Sequence, residues 1–497
     1  MNRASGILLS VTSLPSKYGI GCFDKTAYDF VDWLAEAGQT YWQILPLCPT
    51  CYGPADDSPY QSYSAFAGNP YMICLEDLVA EGVLSQEECD TADFGDNPEK
   101  VNYDKLYANR YKLLHKAYER SNISRNPAYS RFLAENRWWL DDYALFMALK
   151  NFFGDMGWGS WPQDIRLRWG YAMDYYRREL YFDIEFQMYL QFKFFQQWLK
   201  LKAYANGKGI KIIGDMPIYV SLDSSDVWAH PELFQLDSEN KPTAIAGCPP
   251  DAFSADGQMW GNPLYRWDLM KQDDYSWWMR RLAAAGQLYD VVRMDHFRGF
   301  ESYWSVPYGD KTAKNGHWVK GPDMSFVDAV KRHLPQLELI AEDLGFLTQA
   351  VLDLRDGSGY PGMKVLGFAF DSREPSEYLP HTYIPNTVCY TGTHDNMTLR
   401  QWLESASPET VEYAAAYMGL SQREGFVWGA IRTAMSSVSQ LCVIPMQDYL
   451  ELGGEARMNF PGTLGNNWVW RAVEGCFSDP LAEKIYGLTE LYGRLGK

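Results

Sequence analysis

Eight short runs of β-branched, aromatic and other apolar residues punctuate this chain, at 6–11, 41–47, 211–217, 289–295, 338–342, 364–370, 387–391 and 441–446. They read as apolar on both faces, the pattern of strands covered on both sides in a parallel sheet. Most are followed by helix-compatible sequence. After the first run, Ala27, Phe30, Val31 and Leu34 mark one helical face that stops at Gly38. Residues 185–205 and 273–285 predict further helices just before the third and fourth runs. Strand then helix, eight times over, predicts an α/β fold of the (β/α)8 TIM-barrel class, whose chemistry lies at the C-terminal ends of the strands.

The spacing of the runs locates embellishments. One helix would bridge the second and third runs, yet 48–180 holds much more and reads as a mostly helical insertion. Residues 218–272 form a second, loop-rich insertion after the third run, and 296–325 a short one after the fourth. No internal repeat or low-complexity linker divides the chain, so 1–497 is expected to be one catalytic barrel with subdomains bordering the mouth.

Composition adds three constraints. Aromatics make up 15% of the chain, enough to fill a core and leave rings to line a groove. The net charge is −18 and no basic run stands out, which argues against nucleic acid as a partner. Nine scattered cysteines fit reduced thiols in the cytoplasm better than a disulfide framework; Cys48 and Cys51 form a lone C-x-x-C with no second pair at zinc spacing. The N-terminal apolar segment is too short to span a membrane and reads as a first core strand. Oligomeric state leaves no trace in the sequence.

Three of the runs end in acids: Asp295, Glu342 and Asp395 close or follow the fourth, fifth and seventh. A single strand-end acid is more often an ion-pair partner or cap than a catalyst, but three on separate strands would converge on one mouth. Alternate residues of a strand share a face, so Arg293 and Asp295 point the same way, roughly 7 Å apart, and the guanidinium is expected to depress the Asp295 pKa. An ionised carboxylate beside a protonated one is the pair that cleaves a glycosidic bond with retention. Glu342, with the longer reach, suits the acid/base role; Asp395 is left to orient hydroxyls, with His394 as a neighbouring donor. Asp343 adjoins Glu342, and spacing alone does not say which of the two faces inward.

Other chemistries leave no signature. The seven histidines form neither H-E-x-x-H nor H-x-H, and G-x-S-x-G, a Walker loop and a complete dinucleotide fingerprint are absent. No cofactor or metal is called for. Two segments resemble sugar-contact loops, Asp57-Ser58-Pro59-Tyr60-Gln61-Ser62-Tyr63 and the stretch from Pro249 through Phe253 to Gln258-Met259-Trp260-Gly261-Asn262-Pro263. Rings beside amides and carboxylates suit a glucan, which offers C–H faces and a rim of hydroxyls, although rings such as Tyr63, Phe66 and Trp260 serve equally as packing.

Taken together, Ser58-Pro59-Tyr60-Gln61-Ser62, Gly214-Asp215-Met216-Pro217-Ile218, Trp228-Ala229-His230-Pro231, Pro249-Pro250-Asp251, Arg293-Met294-Asp295-His296-Phe297-Arg298-Gly299, Ala341-Glu342-Asp343-Leu344-Gly345, Thr393-His394-Asp395-Asn396 and Arg457-Met458-Asn459 resemble the 4-α-glucanotransferases, or amylomaltases, of the wider α-amylase clan. The resemblance spans nearly the whole chain. It implies a retaining transferase on maltooligosaccharides and starch- or glycogen-derived α-1,4-glucans, without cofactor. It also implies Asp295 as nucleophile, Glu342 as acid/base and Asp395 as transition-state stabiliser, with substrate contacts from Ser58, Tyr60, Asp215, Phe253, Gln258, Trp260, Arg293 and His394. Pro249–Phe253 is the candidate lid, where Ala252 replaces a Tyr common in the family. A hydrolase of the same clan, or a non-catalytic glucan-binding barrel, remains the alternative.

Overall fold

Each of the eight apolar runs overlaps a strand in the computed structural model, which describes residues 3–51, 57–250, 255–345, 347–370 and 376–496. The described residues form twelve strands: β1 (Ala4–Leu8), β2 (Tyr41–Gln43), β3 (Lys211–Met216), β4 (Ala244–Cys248), β5 (Gln258–Pro263), β6 (Val291–Met294), β7 (Ser302–Pro307), β8 (His317–Lys320), β9 (Glu338–Ala341), β10 (Gly362–Val365), β11 (Thr387–Tyr390) and β12 (Leu441–Pro445). Eight pair in the order β10-β11-β12-β1-β2-β3-β6-β9, all parallel. Helices such as Lys25–Glu36 cover the outside. The fold is a (β/α)8 barrel, and the burial of β1, β6, β11 and β12 along their whole length explains why they lack polar alternation.

The barrel closes between β9 and β10 with sparing use of the backbone. The Ala341 N–H donates to the Pro361 carbonyl at 2.9 Å. Beyond it a side chain continues the seam: Asp343 Oδ1 accepts the Met363 N–H at 2.7 Å, while Oδ2 accepts from Arg355 Nη1 at 2.7 Å. Asp343 is buried by this, which settles the Glu342/Asp343 ambiguity. One residue staples the cylinder, leaving the other for the mouth.

Strand ends differ from the apolar runs. Ile44 to Leu47 are buried but follow the ladder, and β10 begins at Gly362 and gives way to a 3-10 turn, Leu366–Phe368. Apolar residues continue past the strands because the loops around the mouth are buried too, and hydrophobicity marks burial, not ladder pairing.

Between β2 and β3 the described residues form six α-helices, from Leu75–Ala80 to Gly170–Glu179, and then the 27-residue helix Tyr181–Gly207. Two buried glutamines on that helix clamp one stretch of loop. Gln191 bonds both the N–H and the carbonyl of Gly68, and Gln197 does the same for Cys74. The segments after β3 and β6 are less irregular than their composition suggests. Each contributes two strands to an antiparallel sheet ordered β5-β4-β7-β8. β5 alternates in burial and β8 is mostly exposed, so neither shows the solid apolar run that betrays a barrel strand.

Candidate active site

Asp215 and Arg293 are register partners on β3 and β6. Arg293 Nη1 lies 2.7 and 2.6 Å from the two oxygens of Asp215 and 3.0 Å from Oδ1 of Asp295, so one buried guanidinium serves two carboxyl groups. Asp295 itself sits just past the end of β6, its N–H bonded to the Met216 carbonyl at 3.0 Å.

The shared cation changes the electrostatics expected from sequence. Burial is the largest influence on Asp295 and raises its carboxyl above the ordinary range; Arg293 opposes this, and the Asp215 charge adds to the rise. The expected depression does not occur because burial outweighs the pull of Arg293, a cation that Asp295 also shares with Asp215. Direct contact with the guanidinium still makes Asp295 readier to ionise than Glu342.

Glu342 follows β9, and two peptide groups hold its carboxyl: Oε2 accepts the His296 N–H at 2.7 Å and Oε1 the Leu344 N–H at 2.8 Å. His296 adopts a left-handed backbone conformation (φ 51°), a cost for a side chain of this size. Burial first and Asp295 second raise the Glu342 carboxyl, while Arg293 and the two N–H donors pull it down. Burial prevails. Glu342 is the higher of the two, poised to hold a proton while Asp295 is ionised.

The loop after β11 brings the third acid. Asp395 Oδ1 accepts from Asn459 Nδ2 at 2.7 Å and lies 3.3 Å from His394 Nε2; Arg457 donates to the Asp395 carbonyl at 2.7 Å. Tyr60 stacks on His394 with ring centroids 5.0 Å apart and donates its hydroxyl to Asp215 Oδ2 at 2.8 Å. It joins the loop after β2 to the ends of β3 and β11. Ser58 shapes the turn that presents it, its Oγ accepting the Tyr60 N–H at 3.2 Å. On the other side, Trp260 meets the His296 ring edge-on at 4.9 Å, and Gln258 accepts from the Trp260 indole at 3.2 Å. Gln61 ties the two sugar-contact loops together through the Trp260 carbonyl and Asn262.

Asp295, Glu342, Asp395, Asp215, Arg293, His394 and Tyr60 therefore form one connected cluster, with Ser58, Gln258 and Trp260 supporting its rim. Phe253 and most of the candidate lid lie outside the described residues. Asn459 was not singled out by sequence reasoning except within the Arg457-Met458-Asn459 motif, because it follows no strand and no periodicity marks it. Among the described residues no group of three or more His, Cys, Asp or Glu is placed to hold a metal ion.

Two carboxyl groups held in unlike surroundings are what acid-assisted attack by a carboxylate requires. A family model described as 4-alpha-glucanotransferase matches residues 9–475. The 4-alpha-glucanotransferase of Clostridium butyricum is 49% identical, covering 98% of this chain and 100% of its own length; that of Thermus thermophilus is 45% identical, covering 99% of each. The solved amylomaltase of Streptococcus agalactiae in complex with acarbose superposes with a TM-score of 0.96 at 42% identity, covering 99% of both chains. With relatedness running through barrel and insertions alike, the chain belongs to the 4-α-glucanotransferase family.

Proposed function

We propose that the protein moves a segment of an α-1,4-glucan from a donor to the 4-hydroxyl of an acceptor glucose or maltooligosaccharide by retaining double displacement. Asp295 attacks the anomeric carbon as the bond to the leaving O4 breaks, and Glu342 gives that oxygen its proton. Glu342 then takes the proton of the incoming 4-hydroxyl, whose oxygen bonds the same carbon and expels Asp295. The observation that carries this reading is the division of labour between two half-buried carboxyl groups. One leans on Arg293; the other is raised further and rests on two peptide N–H groups.

In this reading Asp395, held by Asn459, faces the positive charge that develops on the sugar ring. Arg293, Asp215, His394 and Tyr60 set the charge and geometry around it, and Ser58, Phe253, Gln258 and Trp260 contact the chain. Residues 48–180, 218–272 and 296–325 act as subdomains of one unit, shielding the intermediate from water while an acceptor is bound. The buried Cys22, Cys51, Cys74, Cys89, Cys389 and Cys442 are unbridged thiols, which supports a reducing, cytoplasmic setting. No helix among the described residues is long and apolar enough to cross a membrane.

Incubation with maltotriose alone tests the proposal. Glucose and longer maltodextrins at a constant number of reducing ends are expected; shorter sugars with rising reducing ends would make the enzyme a hydrolase, and unchanged maltotriose a binding protein.

A further inference from the structure

We propose that Asp448 is a positioning residue whose buried carboxylate ties together both feet of the loop carrying His394 and Asp395, and thereby fixes where the Asp395 carboxylate stands. The inference deepens the proposed function and rests on it.

Asp448 comes from the eighth barrel strand, which contributes no acid of its own to the cluster. β12 ends at Pro445 and a single turn, Met446–Tyr449, carries Asp448 inward, where it is 2% exposed. Its Oδ2 accepts the Thr391 hydroxyl at 2.6 Å, and its Oδ1 accepts the Leu399 N–H at 2.7 Å. Thr391 directly follows β11 and Leu399 opens the helix Leu399–Ser405. One side chain thus spans the loop from its first foot to its last.

Packing does only part of this job. A cavity of about 20 Å³ lies against the loop and is lined by Thr393, His394, Met397 and Asp448 among others. Rings pack on His394 in the middle of the loop, while the hydrogen bonds of Asp448 hold its two feet. The carboxylate providing them is costly: among the described residues no Lys, Arg or His pairs with Asp448, and burial raises its carboxyl to about 6 against the pull of its two donors. A leucine would fill such a place more cheaply, but would leave both feet untied.

The same stretch of chain supplies a second grip on the acid. Gln447 donates to the Ala456 carbonyl at 3.3 Å, steadying the segment from which Arg457 and Asn459 reach the Asp395 carbonyl and carboxylate. The chain after β12 therefore holds Asp395 directly through Asn459 and its loop through Asp448.

The test compares Asp448→Ala, Thr391→Val, Asp395→Asn and the double variant Asp448→Ala/Asp395→Asn for maltotriose disproportionation, with melting temperatures. Asp448→Ala is expected to lower kcat on the order of 10²-fold, the scale of a 1 Å misplacement, with KM within about threefold. Thr391→Val, which removes one of the two ties at nearly constant volume, is expected to lower kcat less and is read in the same way should Asp448→Ala fail to fold. The double variant is expected to be no slower than Asp395→Asn, since a positioning residue has nothing left to position. Independent, multiplied losses in the double variant would overturn the inference, as would a wild-type kcat in Asp448→Ala and Thr391→Val beside an inactive Asp395→Asn. An active Asp395→Asn would instead overturn the reading of the site on which the inference rests.

Discussion

Glu342 must be an acid in one half of the reaction and a base in the other, and what surrounds it suits both. Its two partners are peptide N–H groups, which donate whatever the protonation state and cannot rotate away. Burial raises the group; the donors keep it aimed. Activity is accordingly expected to fall on the alkaline side as Glu342 loses its proton, and on the acid side as Asp295 gains one. A pH profile of kcat/KM for maltotriose should be bell-shaped, and its alkaline limb should vanish in Glu342→Gln, whose residual rate no longer depends on that proton. A limb that persists would assign the acid elsewhere. The pairing of Asp295 with Arg293 was legible from their alternate spacing, but the strength of its effect was not. Only the fold shows that Asp215, from a strand far away in sequence, already occupies the same guanidinium.

At the level of elements, the seam between β9 and β10 is held by a side chain where the other neighbouring pairs rely on ladder bonds. Asp343→Ala removes a buried carboxylate from the Met363 N–H and from Arg355, and a broken buried pair typically costs about 3–5 kcal/mol. Denaturant unfolding should register that loss, and hydrogen exchange should show the Met363 amide exposed ahead of the central strands. The eight barrel strands were readable because strands buried on both faces are written in consecutive apolar residues. The strands of the smaller sheet were not: β5 passes through Gly261 and alternates in burial, and β8 keeps His317, Trp318 and Lys320 exposed. Asp448 was equally silent, since an acid that ties one loop to another carries no periodic mark, and the loop it serves lies about fifty residues earlier in the chain.

For the whole molecule, the site is a burden on stability. Glu342 and Asp295, together with the buried Asp226 and Asp448, all have folded values raised by burial. A carboxyl raised on folding binds more protons in the native state, so its contribution is lost as pH rises from the unfolded value, about 4, through the folded one. Glu342→Gln cannot ionise and escapes that loss. Its melting temperature should exceed that of the wild type at pH 8 and match it near pH 4, a gain in stability at the expense of catalysis. Equal melting temperatures at both values would mean that the folded Glu342 carboxyl is not raised.

The adjacency of Glu342 and Asp343 also bears on how activity arises in time. The residue that proposes the chemistry and the residue that staples the barrel are neighbours in the chain, and Glu342 takes one of its two N–H bonds from Leu344, just beyond the staple. A refolding chain with seven strand pairs formed and the seam still open would have nearly all its helix and sheet, yet would hold its acid loosely. Transferase activity is therefore expected to return after the far-ultraviolet circular dichroism signal, and the lag should lengthen in Asp343→Asn. Recovery of catalysis is then expected to time the closing of the barrel.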